Sequence, residues 1–147
     1  MVRSMLLVAL SCAASIAAAA DKPTPQEVEA MQGTWVIESF IGNGDALPAD
    51  KIRSWRRIVV GDRVTWKRGD ETLVELSIKY DPRAKPMTLD STIESGESKG
   101  QTMHAIYELK GDELRMCFAP PDKPRPKEFS STPGSDLLLY TARRMRP

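Results

Sequence analysis

The 147-residue chain carries one histidine, His104, and two cysteines, Cys12 and Cys117. Hydrolysis through a serine or cysteine needs a base beside the nucleophile and a third group to orient that base. His104 is the only imidazole, Cys117 falls on a different expected strand, and no nucleophile-elbow motif accompanies either. His104 is therefore read as a strand residue facing solvent or a small polar pocket. Cys117 is read as a small apolar residue within a strand. A zinc site needs more imidazole and thiolate than the chain holds. Glu94–Glu97 could offer oxygen to calcium, but the spacing fits no EF-hand loop, and a solvated loop is expected. Carboxylates are plentiful enough for glycoside chemistry, yet nothing in the sequence singles out two of them. Arg68-Gly69-Asp70 reads as a hairpin turn with flanking charges. Gly42-Asn43-Gly44 lacks the helix and lysine of a phosphate loop. The reading is of a non-enzymatic chain with no catalytic residue, cofactor or metal ligand.

The aromatic residues are the remaining chemical resource. Trp35, Trp55 and Trp66 can stack on a planar or sugar-like ligand or fill a core, and interior rings are more often core. Trp55 sits beside Arg53, Arg56 and Arg57 near a loop, where an exposed indole would mark a contact surface. Trp66, Tyr107, Phe118 and Phe129 complete the aromatic contact candidates.

These side chains must be positioned by strands. Thr24-Pro25-Gln26-Glu27 opens a short helix with a capping box, Val28 and Met31 form its apolar edge, and Gly33 ends it. From Thr34 the hydrophobic period becomes two. Eight runs follow: Thr34–Ile41, Trp55–Val60, Arg63–Arg68, Thr72–Tyr80, Pro86–Ile93, Thr102–Lys110, Glu113–Phe118 and Leu137–Arg144. Gly61-Asp62, Gly69-Asp70 and Gly111-Asp112 are hairpin turns, because glycine takes the positive φ that tight hairpins need. Gly42–Asp45 is a further turn, and residues 48–54 can form one helical turn. Short connections without a long helix predict an antiparallel meander. Such a meander closes most economically into a mostly β, eight-stranded up-and-down barrel. The inward set is Ile37, Ile41, Val64, Trp66, Val74, Leu76, Ile78, Leu89, Leu114 and Met116. Residues 119–136 carry five prolines and read as a stiff loop. It is either a lid or strap over one barrel opening or a recognition loop anchored by Phe118 and Phe129.

The N-terminus reads as a secretory signal peptide over residues 1–20. Arg3 supplies the charge, an apolar run follows, and Ala18-Ala19-Ala20 is the cleavage motif. The run is short and Ala-rich for a permanent span. Lipidation at Cys12 is not expected, because Ala9 stands where a lipidation box has leucine. Cleavage after Ala20 removes one of 21 bases and none of 20 acids, leaving no net charge. That excludes a basic field for nucleic acid or an anionic membrane. Residues 21–33 form a linker and the short helix, and residues 34–147 form the barrel domain. The expected place is extracytoplasmic, periplasmic or secreted, and the expected state monomeric.

Gly33-Thr34-Trp35 after a short helix, with Arg143-Arg144 ending the last strand, resembles the lipocalin-type (calycin) arrangement. There an indole plugs the closed end and a late arginine stacks on it. Longer stretches resemble a planctomycete family of uncharacterised exported lipocalin-like domains. They are residues 31–35, Lys85-Pro86-Met87-Thr88-Leu89-Asp90, residues 106–114, Cys117–Pro121, Arg125–Phe129 and Pro133-Gly134-Ser135. The resemblance implies a lipocalin-like barrel and export, and no activity or substrate. Two functions follow as expectations. One is a binding module for a small apolar ligand of the cell envelope, held in the barrel. The other is a protein-interaction or inhibitor module that contacts an envelope protein through loop 119–136, with the barrel filled.

Overall fold

The computed structural model describes residues 22–147. The expected signal peptide (residues 1–20) and Cys12 lie outside them. Helix α1 (Pro25–Met31) starts as expected. The Thr24 N–H donates to Glu27 Oε2 at 2.7 Å and the Glu27 N–H to Thr24 Oγ1 at 3.3 Å, so two of the free amides of the first turn are satisfied. The strands are β1 (Gly33–Gly42), β2 (Asp45–Ala46), β3 (Trp55–Val60), β4 (Arg63–Arg68), β5 (Glu71–Asp81), β6 (Met87–Ile93), β7 (Thr102–Lys110), β8 (Glu113–Phe118) and β9 (Leu138–Arg144). A one-turn helix α2 (Ala49–Ile52) precedes β3.

Strands β1 and β3 to β9 pair antiparallel in sequence order, and β9 returns to β1. The result is a closed eight-stranded barrel with a short helix, consistent with a lipocalin-like fold. Closure removes the sheet edges that eight strands would otherwise expose. β2 only extends the turn after β1, pairing at Ile41↔Ala46 and Gly42↔Asp45. Among the described residues no helix is long and apolar enough to cross a membrane.

The expected facing holds over most strands and fails on part of β1. There the pairing with β9 runs Ile37↔Ala142 and then Ser39↔Thr141, so Glu38 is an extra residue. This bulge reverses the alternation. Trp35 and Ile37 face inward as expected, but beyond Glu38 it is Phe40 that packs on the core, in place of Ile41. Ser39 turns outward and shares a 2.6 Å hydrogen bond with Thr141.

One barrel end is sealed. Trp35 is fully buried, and its Nε1 donates to the Met31 carbonyl at 3.1 Å. The Arg144 guanidinium lies 4.4 Å above the indole. It donates to the carbonyls of Ala30 and Gln32 and pairs with Asp112 at 3.1 Å. One side chain thereby caps the C-terminal carbonyls of α1, covers the plug and ties in the β7–β8 turn. Gly33 opens β1 beside this pair with a φ of +111°, a conformation that suits glycine, whereas a Cβ there would make only ordinary contact with Arg144 Nη1 at 3.5 Å. Arg143, grouped with Arg144 by sequence, points outward instead and pairs with Glu38 at 2.9 Å and Glu113 at 2.7 Å. Successive strand residues face opposite sides, so only one of two adjacent arginines can reach the plug.

Arg144→Met is therefore expected to lower the unfolding free energy by about 2–3 kcal/mol, and Arg144→Lys to recover little of it, because an ammonium has no planar fork. Urea unfolding followed by tryptophan fluorescence measures both. A loss below about 0.5 kcal/mol, ordinary for a surface substitution, would contradict this role.

Candidate functional site

The opposite end of the barrel is hollow. A cavity of about 300 Å³ is lined by Phe40 from β1, Trp55 and Arg57 from β3, and Trp66 from β4. Leu73, Val74 and Leu76 come from β5, Ser91 and Ile93 from β6, and Met103 and Ala105 from β7. Met116 and Phe118 from β8 and Tyr140 from β9 complete it. All eight barrel strands contribute, which places the cavity in the lumen. Leu73 is 39% exposed, so the cavity reaches the surface.

Its wall is aromatic. Phe40 meets Trp55 edge-on at 5.3 Å, Trp55 meets Trp66 at 6.5 Å, and Trp66 meets Tyr140 at 5.1 Å. Phe118 closes on Tyr140 at 6.2 Å. Such edge-to-face contacts fix each ring against the next and stiffen the wall. At about 300 Å³ the space lies at the small end of ligand pockets.

The polar groups in this wall are few and poorly satisfied. Arg57 is 2% exposed, and its Nη1 has no hydrogen-bond partner. None of the residues lining the cavity is acidic. Trp55 Nε1 is buried and also unpartnered. The Tyr140 hydroxyl donates to Met116 Sδ at 3.1 Å, a weak acceptor. Burial pushes the Tyr140 pKa up, and the nearby Arg57 charge offsets this only in part. The Ser91 hydroxyl is the other polar side chain of the wall.

The structure separates the sequence candidates. Trp55, Trp66 and Phe118 come together in the cavity. The Trp55 indole is part of the inner wall and not an exposed surface ring. Gly33, Trp35 and Arg144 meet at the sealed end. Tyr107 is buried in the core, edge-on to Tyr80 at 6.4 Å, and does not line the cavity. Phe129 lies on the outside, with the Arg115 guanidinium 4.1 Å above its ring. Arg57, Phe40, Tyr140 and Ser91 were not anticipated. Period two on β3 signals Arg57: Trp55 and Val59 face inward, so the residue between them must as well.

Loop 119–136 is a strap bonded to the outer wall, and none of its residues lines the cavity. Arg125 donates to the Ala105 carbonyl at 2.7 Å and the Leu89 carbonyl at 3.3 Å, and pairs with Asp90 at 2.7 Å. The Cys117 thiol donates to the Ser130 carbonyl at 3.3 Å, and burial pushes its pKa up. Further along, the Gly44 N–H donates to Ser131 Oγ at 3.0 Å and the Asp136 N–H to Asn43 Oδ1 at 3.0 Å. Pro133 sits so close that a Cβ on Gly44 would stand 2.5 Å from it. Ile106 and Cys117, paired across β7 and β8, are buried on the side away from the lumen, as a covered outer wall requires. Phe118 turns into the barrel while Phe129 stays outside, so the two do not anchor one recognition surface.

His104 serves this strap. Its Nδ1 lies 2.8 Å from Asp90 Oδ1, the carboxylate oxygen that Arg125 also holds. Among the described residues no hydrogen bond joins His104 to Cys117, and no group of three or more metal-ligating side chains forms, Glu94 and Glu97 included. Glu94 instead accepts a 2.6 Å hydrogen bond from Ser77. Partial burial pushes the Asp90 pKa up, but the bonds from His104 and Arg125 outweigh it and leave it below the usual aspartate value. The stability that this carboxylate contributes is present above the unfolded pKa and is lost as pH falls through the lower folded value. Asp90→Asn is thus expected to cost about 1 kcal/mol near neutral pH, kept small by partial exposure, and clearly less at a pH well below the usual aspartate value, where the folded carboxyl becomes protonated. Urea unfolding at both pH values measures the difference, and a cost that does not change with pH would refute the assignment.

The chain matches no protein-family model, no curated protein and no solved structure in comparisons against each.

Proposed function

We propose that the chain is an exported, non-enzymatic binding module that takes a small, largely apolar ligand into the open end of its barrel. The observation that carries this reading is the aromatic-walled cavity of about 300 Å³ in the lumen. A barrel of eight strands has room for packed side chains or for one small ligand, and here the side chains fill only the Trp35 end. The strap is bonded along the outer wall and no residue of 119–136 lines the cavity, which leaves the mouth accessible. Export rests on residues 1–20, where Arg3, the apolar run and Ala18-Ala19-Ala20 form a signal-peptide pattern. The resemblance to exported planctomycete lipocalin-like domains points the same way.

The test uses N-phenylnaphthylamine, a neutral probe that fluoresces in apolar surroundings. The wild-type protein is expected to enhance and blue-shift its emission saturably. Leu73→Trp narrows the mouth at a partly exposed position, so the fold should persist, and it is expected to weaken binding about tenfold. No saturable enhancement, or equal affinity in a folded Leu73→Trp protein, would overturn the reading.

A further inference from the structure

We infer that the ligand is an anionic amphiphile whose single acidic head, such as a carboxylate, is held by Arg57 inside the barrel while its apolar body lies against the aromatic wall. This inference rests on the binding reading above and adds the chemical class of the ligand.

The lumen holds an imbalance of charge. Arg57 is 2% exposed, lies in the middle of β3 and lines the cavity. A guanidinium presents five N–H donors and no acceptor. A buried charge is ordinarily paired, because the penalty for taking it out of water is otherwise unmet. Nη1 has no partner, and the cavity wall holds no acid to supply one. The two neighbouring polar groups are unbalanced in the same sense. Trp55, two residues away on the same face of β3, presents an unpartnered Nε1–H, and the Tyr140 hydroxyl donates only to a thioether. The lumen therefore collects donors in an apolar setting that lacks strong acceptors. What satisfies it is a ligand with concentrated negative charge at one end and no need for polar partners at the other.

The surrounding wall excludes other classes. A cation would meet the Arg57 charge at close range in a medium of low dielectric. A sugar or other polyol would leave most of its hydroxyls facing Phe40, Leu76, Ile93 and Met103 without partners. A neutral hydrocarbon would leave Arg57 as it is and fill only the apolar part. The fixed fork of a guanidinium matches a carboxylate through two parallel N–H···O bonds.

The experiment compares decanoate with decanol, two probes of similar size and shape that differ in head charge. Binding to the full mature chain is read by displacement of N-phenylnaphthylamine and by intrinsic tryptophan fluorescence. The wild type is expected to bind decanoate at least tenfold more tightly than decanol. Arg57→Met keeps the apolar length of the side chain and removes the charge. It is expected to bind the two equally and to melt at a higher temperature than the wild type, because an unpaired buried charge is gone. Arg57→Lys keeps the charge, and is expected to keep a preference for decanoate even if Arg57→Met folds poorly.

The outcomes separate the two readings. Equal binding of both probes by the wild type would overturn the anionic assignment and leave the apolar pocket standing. A preference for decanoate that survives in Arg57→Met would also overturn it. Binding of neither probe would overturn both readings.

Discussion

Two ends of one barrel are set apart by a single stacked pair, Arg144 over Trp35. The lumen of an eight-stranded barrel has nearly constant width, so its contents depend on side chains. At the Trp35 end an indole, a helix C-terminus and a guanidinium occupy the same few ångströms and leave nothing to hydrate or fill. Sealing that end frees the other from carrying the core. Trp35, Ile37 and Leu114 belong to one buried core, and the hollow is left where smaller filling gives way to the aromatic wall.

The hollow end holds an energetic conflict that the sealed end does not. Arg144 and Arg57 are both arginines against tryptophan-rich walls. Arg144 has two backbone carbonyls and Asp112 to balance it, whereas Arg57 has an unpartnered Nη1 and no acid on the surrounding wall. A fold selected only for stability would place an apolar residue at Arg57, since the cost of an uncompensated buried charge reaches several kcal/mol by order of magnitude. The strap shows that the same chain does satisfy its charges elsewhere. Asp90, His104 and Arg125 form a closed set on the outer wall, and the outer-wall strap residues cover Ile106 and Cys117 instead of intruding on the mouth.

Much of this architecture is legible in the residues. The Gly-Asp pairs define three hairpins, and β3, β4, β7 and β8 run over the expected residues because glycine at each turn has the positive φ that the turn requires. The capping box of α1 is a local signal and needs no tertiary information. The misplacements have physical causes of three kinds. A bulge at Glu38 adds one residue to β1, and period-two reasoning cannot see an insertion, so Ile41 and Phe40 exchange faces. The Pro-rich segment has no alternation, so its composition says stiff but not which wall it follows. Arg57 breaks the hydrophobic pattern of β3, and a charged residue between Trp55 and Val59 was read with its basic neighbours instead of with its strand face. The position proposed to hold the ligand is thus the one where local pattern and tertiary placement disagree.

On the reading proposed above, the open end of the barrel is a vessel for an acidic amphiphile. Native mass spectrometry of the protein purified without denaturation from the cells that make it, beside the same protein refolded from denaturant, is the decisive test. The account predicts a reproducible non-covalent adduct in the first sample and none in the second. Released into solution, the adduct should ionise as a small monoanion. A clean, ligand-free mass in both samples, or an adduct that ionises only as a cation, would contradict it.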